Sequence, residues 1–163
     1  MVRRLWIGGR QKGMPLHASC AALRGDGVLF LGPPGSGKSD LVLRLIRRGW
    51  ALVADDQVEV AAEGVDLLAR PPASLRGMLE VRGLGLFRGI PVHAPARLRL
   101  VVDLLPPGEA PPRLPEPRSY ESEGRSLPRV ALAGREAAAV DKVALALDAV
   151  CGRASCAVGA FAA

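Results

Sequence analysis

VLFLGPPGSGKSDLVLRLIRRG, residues 28–49, reads as three consecutive pieces. Val28-Leu29-Phe30-Leu31 is a short unbroken apolar run, the pattern of a strand buried on both faces. Gly32 to Ser39 matches G-x-x-x-x-G-K-[ST], the Walker A pattern. From Ser39 to Gly49, Leu41, Leu45 and Arg48 fall on one helical face with Val42 and Ile46 beside them, and Gly49 is placed to end the helix. Arg47 and Arg48 complement the negative end of that helix. A strand before the loop and a helix after it are the context that gives the pattern its meaning. Glycines let successive backbone N–H groups turn inward as an anion nest, and the helix N-terminus adds partial positive charge. The residues Gly32, Pro33, Pro34, Gly35, Ser36, Gly37, Lys38 and Ser39 are therefore read as a nucleoside-triphosphate cradle. Lys38 reaches the terminal phosphates, and Ser39 offers a hydroxyl to Mg²⁺. ATP and Mg²⁺ are the expected cofactors.

Working outward, PLHASCAAL (15–23) reads as a strand and Arg24 to Gly27 as a turn. ALVA (51–54) is a short strand ending in Asp55-Asp56. QVEVAA (57–62) and VDLLAR (65–70) flank Glu63-Gly64 as a hairpin. LEVRGLGLF (79–87) reads as a glycine-punctuated strand, and RLRLVVDLL (97–105) as another. Residues 106–128 are rich in proline and glycine and predict a long surface excursion. PRVALA (128–133) reads as a short strand and REAAAVDKVALALDAV (135–150) as a helix. The last dozen residues, small and apolar, are expected to be loosely held. Strands alternating with helices, plus hairpins, predict a mixed α/β (α+β) layer fold, one domain spanning 1–163 with its core at 15–150.

Composition narrows the function classes. At 163 residues the chain suits one domain. No stretch approaches the roughly 20 unbroken apolar residues of a membrane helix. MVRRLWIGGRQKGMP (1–15) lacks the apolar centre of a signal peptide, so a cytoplasmic protein is expected. The net charge of +6 favours acidic partners. Aromatics are only 4%, too few for the stacking platforms of nucleic-acid binders, so no nucleic acid is expected. Cys20, Cys151 and Cys156 lack metal-ligand spacing and read as reduced thiols. His93 reads as a structural histidine.

Asp55 and Asp56 follow Lys38 at the end of a strand that would lie beside the loop strand. Neighbouring side chains at a strand end diverge. One carboxylate can approach the metal while the other faces an incoming hydroxyl, whose proton it must reach within roughly 2.6–3.2 Å. Further on, Glu80 and Arg82 share a face if 79–87 is extended, one suited to a metal and one to phosphate.

Four segments in order resemble the HPr kinase/phosphorylase family: Leu16-His17, GVLFLGPPGSGKSDLVLRLIRRGWALVADD (27–56), LLARPP (67–72) and LEVRGLGL (79–86). The resemblance covers residues 15–105 well. It implies the P-loop kinase core of the HPr kinase and PEP-carboxykinase-like type, a mixed sheet packed with helices. It also implies a protein-serine kinase that phosphorylates the phosphocarrier protein HPr and so regulates the phosphotransferase system. Carried over by position, the metal ligands are Ser39 and Glu80, the acid/base aspartate falls on the Asp55-Asp56 pair, with Asp56 favoured as base and Asp55 near the metal, and His17 is the active-site histidine. Ala18 follows His17 where the family usually has glycine. Arg113, in PPRLPEP, is matched loosely to an active-site arginine.

The resemblance departs from the family at both ends. Family members usually carry a further N-terminal domain, so this chain is expected to be the short, alphaproteobacterial-type form. The family's C-terminal loop linked to phosphate removal has no match, and SLPRVALAGREAAAVDKV (126–143) stands in its place. Kinase activity is therefore inherited more safely than phosphorylase activity. Full-length relatives form hexamers, but their contacts are not readable in this sequence, and a homo-oligomer stays open. Two other readings stay open: a small-molecule kinase using 106–129 as its lid, and a nucleotide-sensing module without turnover.

Overall fold

In the computed structural model the backbone is described for residues 5–7 and 10–12 and the whole chain for residues 14–163. The N-terminal stretch in which no signal-peptide centre is expected lies largely outside the described residues. The elements are β1 (Leu5–Ile7), β2 (Arg10–Lys12), β3 (Leu16–His17), β4 (Ser19–Leu23), β5 (Asp26–Leu31), α1 (Lys38–Ile46), β6 (Ala51–Ala54), β7 (Gln57–Glu63) and β8 (Asp66–Arg70). They continue with β9 (Leu79–Val81), β10 (Gly85–Phe87), β11 (Ala96–Leu104), β12 (Arg118–Ser122), β13 (Arg125–Leu132) and α2 (Ala139–Val150).

The main sheet has the order β3-β7-β8-β11-β5-β4-β6, and β13, carrying β12, joins it along β11. β5 and β13 both run parallel to β11, whereas β8 meets its first two residues antiparallel. The loop strand β5 is thus central and covered on both faces, which is why its sequence is apolar without alternation. Val28 and Phe30 face α1 and α2, while Leu29 faces a second core with Cys20, Val53, Val58, Leu67 and Leu98.

β11 serves both cores by changing face along its length. Ala96 and Leu98 belong to the second core, but Leu100, Val102 and Leu104 belong to the helix side. Strict alternation would keep all five on one face. The pairing with β5 slips between Leu98 and Leu100, and that bulge makes the exchange. Arg129 of β13 ties the other edge: its guanidinium donates to both carboxylate oxygens of Asp103 at 2.5 and 2.8 Å and lies over the Tyr120 ring.

α1 begins and ends as its sequence predicts. Leu41, Val42 and Leu45 are buried. Gly49 takes φ +92, its N–H bonds Ile46 O, and Trp50 N–H reaches Leu45 O, the paired bonds of a glycine-ended helix. The turn at Arg24-Gly25 has positive φ at both residues, the form that suits a two-residue hairpin.

Five expectations need correction. The 15–23 strand is broken at Ala18, whose N–H bonds Asp56 O instead of a strand neighbour. Segment 79–87 is not one strand but the hairpin β9–β10, with Leu86 opposite Glu80. Gly83 (φ +89) relieves the turn, where Leu84 N–H closes on Val81 O. The 106–128 excursion contains β12 and the start of β13, which pairs with it from Arg118↔Arg129 to Ser122↔Arg125. α2 starts at Ala139 rather than near 135, because the carbonyls of Gly134, Glu136 and Ala137 turn outward to Arg44. The C-terminal residues carry only turns, yet Ala160 and Phe161 pack against the core.

Among the described residues no helix is long and apolar enough to cross a membrane. Cys20, Cys151 and Cys156 are free, and burial pushes the Cys20 thiol up, away from reactivity.

Phe30 is fully buried at the centre of the helix-side core. Phe30→Ala is expected to cost about 3–5 kcal/mol in denaturant unfolding, whereas Leu145→Ala, on the exposed side of α2, should stay within about 0.5 kcal/mol.

Candidate active site

Where β5 ends, Gly32 starts the phosphate loop against the end of β11. A Cβ at Gly32 would stand 2.6 Å from Ser36 Oγ and 2.7 Å from Leu104 O, so only glycine lets the loop close here. The loop bends back over the start of α1, and Leu41 N–H bonds Gly37 O. Ser36 Oγ is buried with no hydrogen-bond partner. Lys38 Nζ donates to Gly32 O at 2.7 Å and to Pro33 O at 3.2 Å. Burial lowers the Lys38 pKa, and the charges of Asp55 and Asp56 oppose that shift.

β6 does not lie beside the loop strand as expected, because β4 stands between them, yet its end delivers the acidic pair to the loop. The two carboxylates diverge, as expected for neighbours at a strand end. Asp55 is buried and accepts from Ser19 Oγ at 2.7 Å and from Ser39 Oγ at 2.8 and 3.0 Å. Asp56 faces the cleft, with its Oδ1 3.5 Å from His17 Nδ1. Its backbone has φ +65, and Gln57 N–H reaches back over it to Asp55 O at 2.7 Å, the tight closure of a γ-turn. Aspartate tolerates this left-handed conformation better than most residues, though at a cost.

The cleft has a volume of about 690 Å³. Its walls come from the loop and α1 on one side and from His17, Asp56, Glu80 and Arg82 on the other. The structure therefore brings together His17, the loop, Lys38, Ser39, Asp55, Asp56, Glu80 and Arg82, although Arg82 comes from a turn and not from an extended strand. Arg113 is not brought in. It lies exposed between β11 and β12, and no residue of 106–129 lines the cleft.

The arginine that does touch the loop is Arg135, whose Nη2 donates to Gly35 O at 2.7 Å. It belongs to the 126–143 segment, where no match to the family's C-terminal loop is expected. Sequence reasoning also missed Ser19 and Arg44. Ser19 stands two residues after His17, a spacing that puts both on one side of an extended chain. Gly134-Arg135 just ahead of a helix was the available signal for the arginine.

The donors fit Mg²⁺. Ser39 and Asp55 offer hard oxygen atoms beside the loop, and Glu80 lines the same cleft. Among the described residues no group of three or more His, Cys, Asp or Glu forms a ready cage. Mg²⁺ typically takes one or two carboxylates and completes its shell with phosphates and water.

A phosphate loop beside an acidic pair on a mixed sheet defines a P-loop kinase-type fold. The profile of the HPr Serine kinase C-terminal domain matches residues 11–105, and the chain belongs to that family. HPr kinase/phosphorylase of Burkholderia cenocepacia is 39% identical over 143 residues, covering 80% of this chain and 44% of that protein. HPr kinase/phosphorylase 1 of Oceanobacillus iheyensis is 40% identical over 96 residues, covering 55% and 31% respectively. The chain thus spans less than half the length of these curated relatives. The solved structure of the Hpr(Ser) kinase/phosphatase from Coxiella burnetii matches with a TM-score of 0.69 at 26% identity, over 85% of this chain and 94% of that one.

The backbone at Asp56 sets a test separate from chemistry. Asp56→Gly should be at least as stable as the parent, Asp56→Asn close to it, and Asp56→Ala less stable than Asn by about 1 kcal/mol in urea unfolding. Equal stability of all three would remove the strain argument.

Proposed function

We propose that this chain is an ATP-dependent protein-serine kinase acting on an HPr-type phosphocarrier, with residues 15–150 as one catalytic unit working in the cytoplasm. The observation that carries this reading is the division of labour within Asp55-Asp56. Asp55 is committed to the Ser39 hydroxyl, and Asp56 is held in the open cleft beside His17.

Ser39, Asp55 and Glu80 would hold Mg²⁺, which when bound supplies charge neutralisation on the phosphates. Lys38 lies on loop carbonyls within reach of the cradle and would shift to phosphate oxygens as ATP enters. Asp56 would accept the proton of the acceptor serine, with His17 fixing the orientation of its carboxylate. Arg82 and Arg135 would hold phosphate oxygens from opposite walls of the cleft, the part for which Arg113 is too remote. In-line transfer needs little more from the protein than this positioning and electrostatic stabilisation. The Hpr(Ser) and HPr names of the matched relatives support HPr as the acceptor.

The small-molecule reading loses its candidate lid, because the 106–129 excursion contributes nothing to the cleft wall. The sensor reading is disfavoured by the retained acidic pair, which binding alone does not require.

Transfer of labelled γ-phosphate from ATP with Mg²⁺ to HPr of the same organism tests the proposal, with a serine-to-alanine HPr as control. Label is expected on the serine-containing HPr alone. Lys38→Ala should reduce it to background. Asp56→Asn should lower turnover by about 10²–10⁴-fold while leaving ATP affinity within about threefold. Unchanged turnover in Asp56→Asn would remove its role as base, and ATP binding without label would restore the sensor reading.

A further inference from the structure

Arg44 lies on α1, one turn beyond Asp40, and its guanidinium reaches across to the segment between β13 and α2. Nη1 donates to Gly134 O at 2.8 Å, and Nη2 donates to Glu136 O at 2.7 Å and Ala137 O at 3.3 Å. Its ion pair with Asp40 is looser, at 3.8 Å. One side chain thus grips the backbone on both sides of Arg135. The same segment is pressed onto the phosphate loop, since a Cβ at Gly134 would stand 3.1 Å from Ser36 O and 3.0 Å from a Leu104 methyl. Arg135 emerges from this clamped stretch and donates to Gly35 O.

We propose that Arg44 is a positioning residue: it holds the Gly134–Ala137 backbone so that the Arg135 guanidinium stands over the phosphate loop, ready to leave the Gly35 carbonyl for a phosphate oxygen. The inference rests on the reading of the cleft as an ATP site. Arginine suits the task because its planar fork serves several carbonyls at once, and a lysine presents only a point charge. An irregular backbone stretch would otherwise let Arg135 wander, and a phosphate contact requires its guanidinium to be in place before the anion arrives.

A neighbouring pair provides the control. Arg48 donates to Asp141 Oδ1 at 2.6 Å and ties the turn after α1 to α2, with no hydrogen bond to residues 134–137. The test measures ATP affinity in the presence of Mg²⁺ by titration calorimetry, alongside thermal unfolding and the turnover of phosphate transfer. Arg135→Ala and Arg44→Ala are each expected to weaken ATP binding roughly tenfold, the size of one lost hydrogen bond to a charged group. The double variant should be no weaker than Arg135→Ala alone, because Arg44 acts through Arg135. Arg44→Lys should leave unfolding near the parent value yet fail to restore affinity. Arg48→Ala should leave affinity unchanged.

Additive losses in the double variant, roughly a hundredfold together, would overturn the proposal, as would full affinity in Arg44→Ala. Equal weakening by Arg48→Ala would reduce Arg44 to general helix packing and would also overturn it. Failure of HPr to take label while ATP still binds would sink the acceptor assignment and leave this inference standing. Failure of the parent chain to bind ATP would sink both.

Discussion

The site depends on one close approach, the crossing of Gly32 over the end of β11. No side chain fits between Gly32 and the Ser36 hydroxyl or the Leu104 carbonyl. Only a glycine, here at φ +154, lets the chain leaving β5 pass this close and enter the loop. β11 is thus part of the site's foundation although it contributes no side chain to the cleft. Its bulge lets Leu98 and Leu100 serve opposite cores, and the register beyond it brings Leu104 to the foot of the loop. Gly134 repeats the device, its missing side chain letting a second backbone segment pack on Leu104 and Ser36.

The cleft's charges are arranged for an occupant that arrives with its own. Lys38 and Arg135 hold main-chain carbonyls of the loop, while Asp55 holds two serine hydroxyls. Each of these bonds has one ionised partner, and each can be exchanged for a contact in which both partners are charged when phosphate or metal enters. Charged groups aimed at a site but engaged with neutral partners gain an opposite charge when they switch. This is preorganisation without a buried unpaired charge.

How much of this was legible in the sequence depends on the range of the interaction. β5, the loop and α1 follow from local rules: an unbroken apolar run, a glycine pattern and a helical period with glycine at its end. The acidic pair was legible as a pair, including the divergence of its carboxylates, because a strand end imposes it. The β9–β10 hairpin was missed because its three-residue turn lacks a two-residue Asn-Gly or Asp-Gly signature, so two short strands merged into one. α2 was extended too far toward its N-terminus because nothing local reveals that Arg44, some ninety residues earlier, takes its first carbonyls. The same distance hid Arg135 and favoured Arg113, which stands in a suggestive string but does not line the cleft. Contacts between remote segments decide these points, and a single sequence carries no record of them.

β5 and β11 are neighbours in the sheet but are separated in the chain by residues 32–95, one long parallel crossover that contains the loop, the acidic pair, Glu80 and Arg82. Closing so large a loop costs entropy before any contact across it repays the chain. Leu104 and Gly134, which brace the phosphate loop, lie beyond that crossover. During synthesis every residue of the cradle therefore leaves the ribosome before the segments that shape it. The ability to hold an anion marks the completion of the fold, not its beginning.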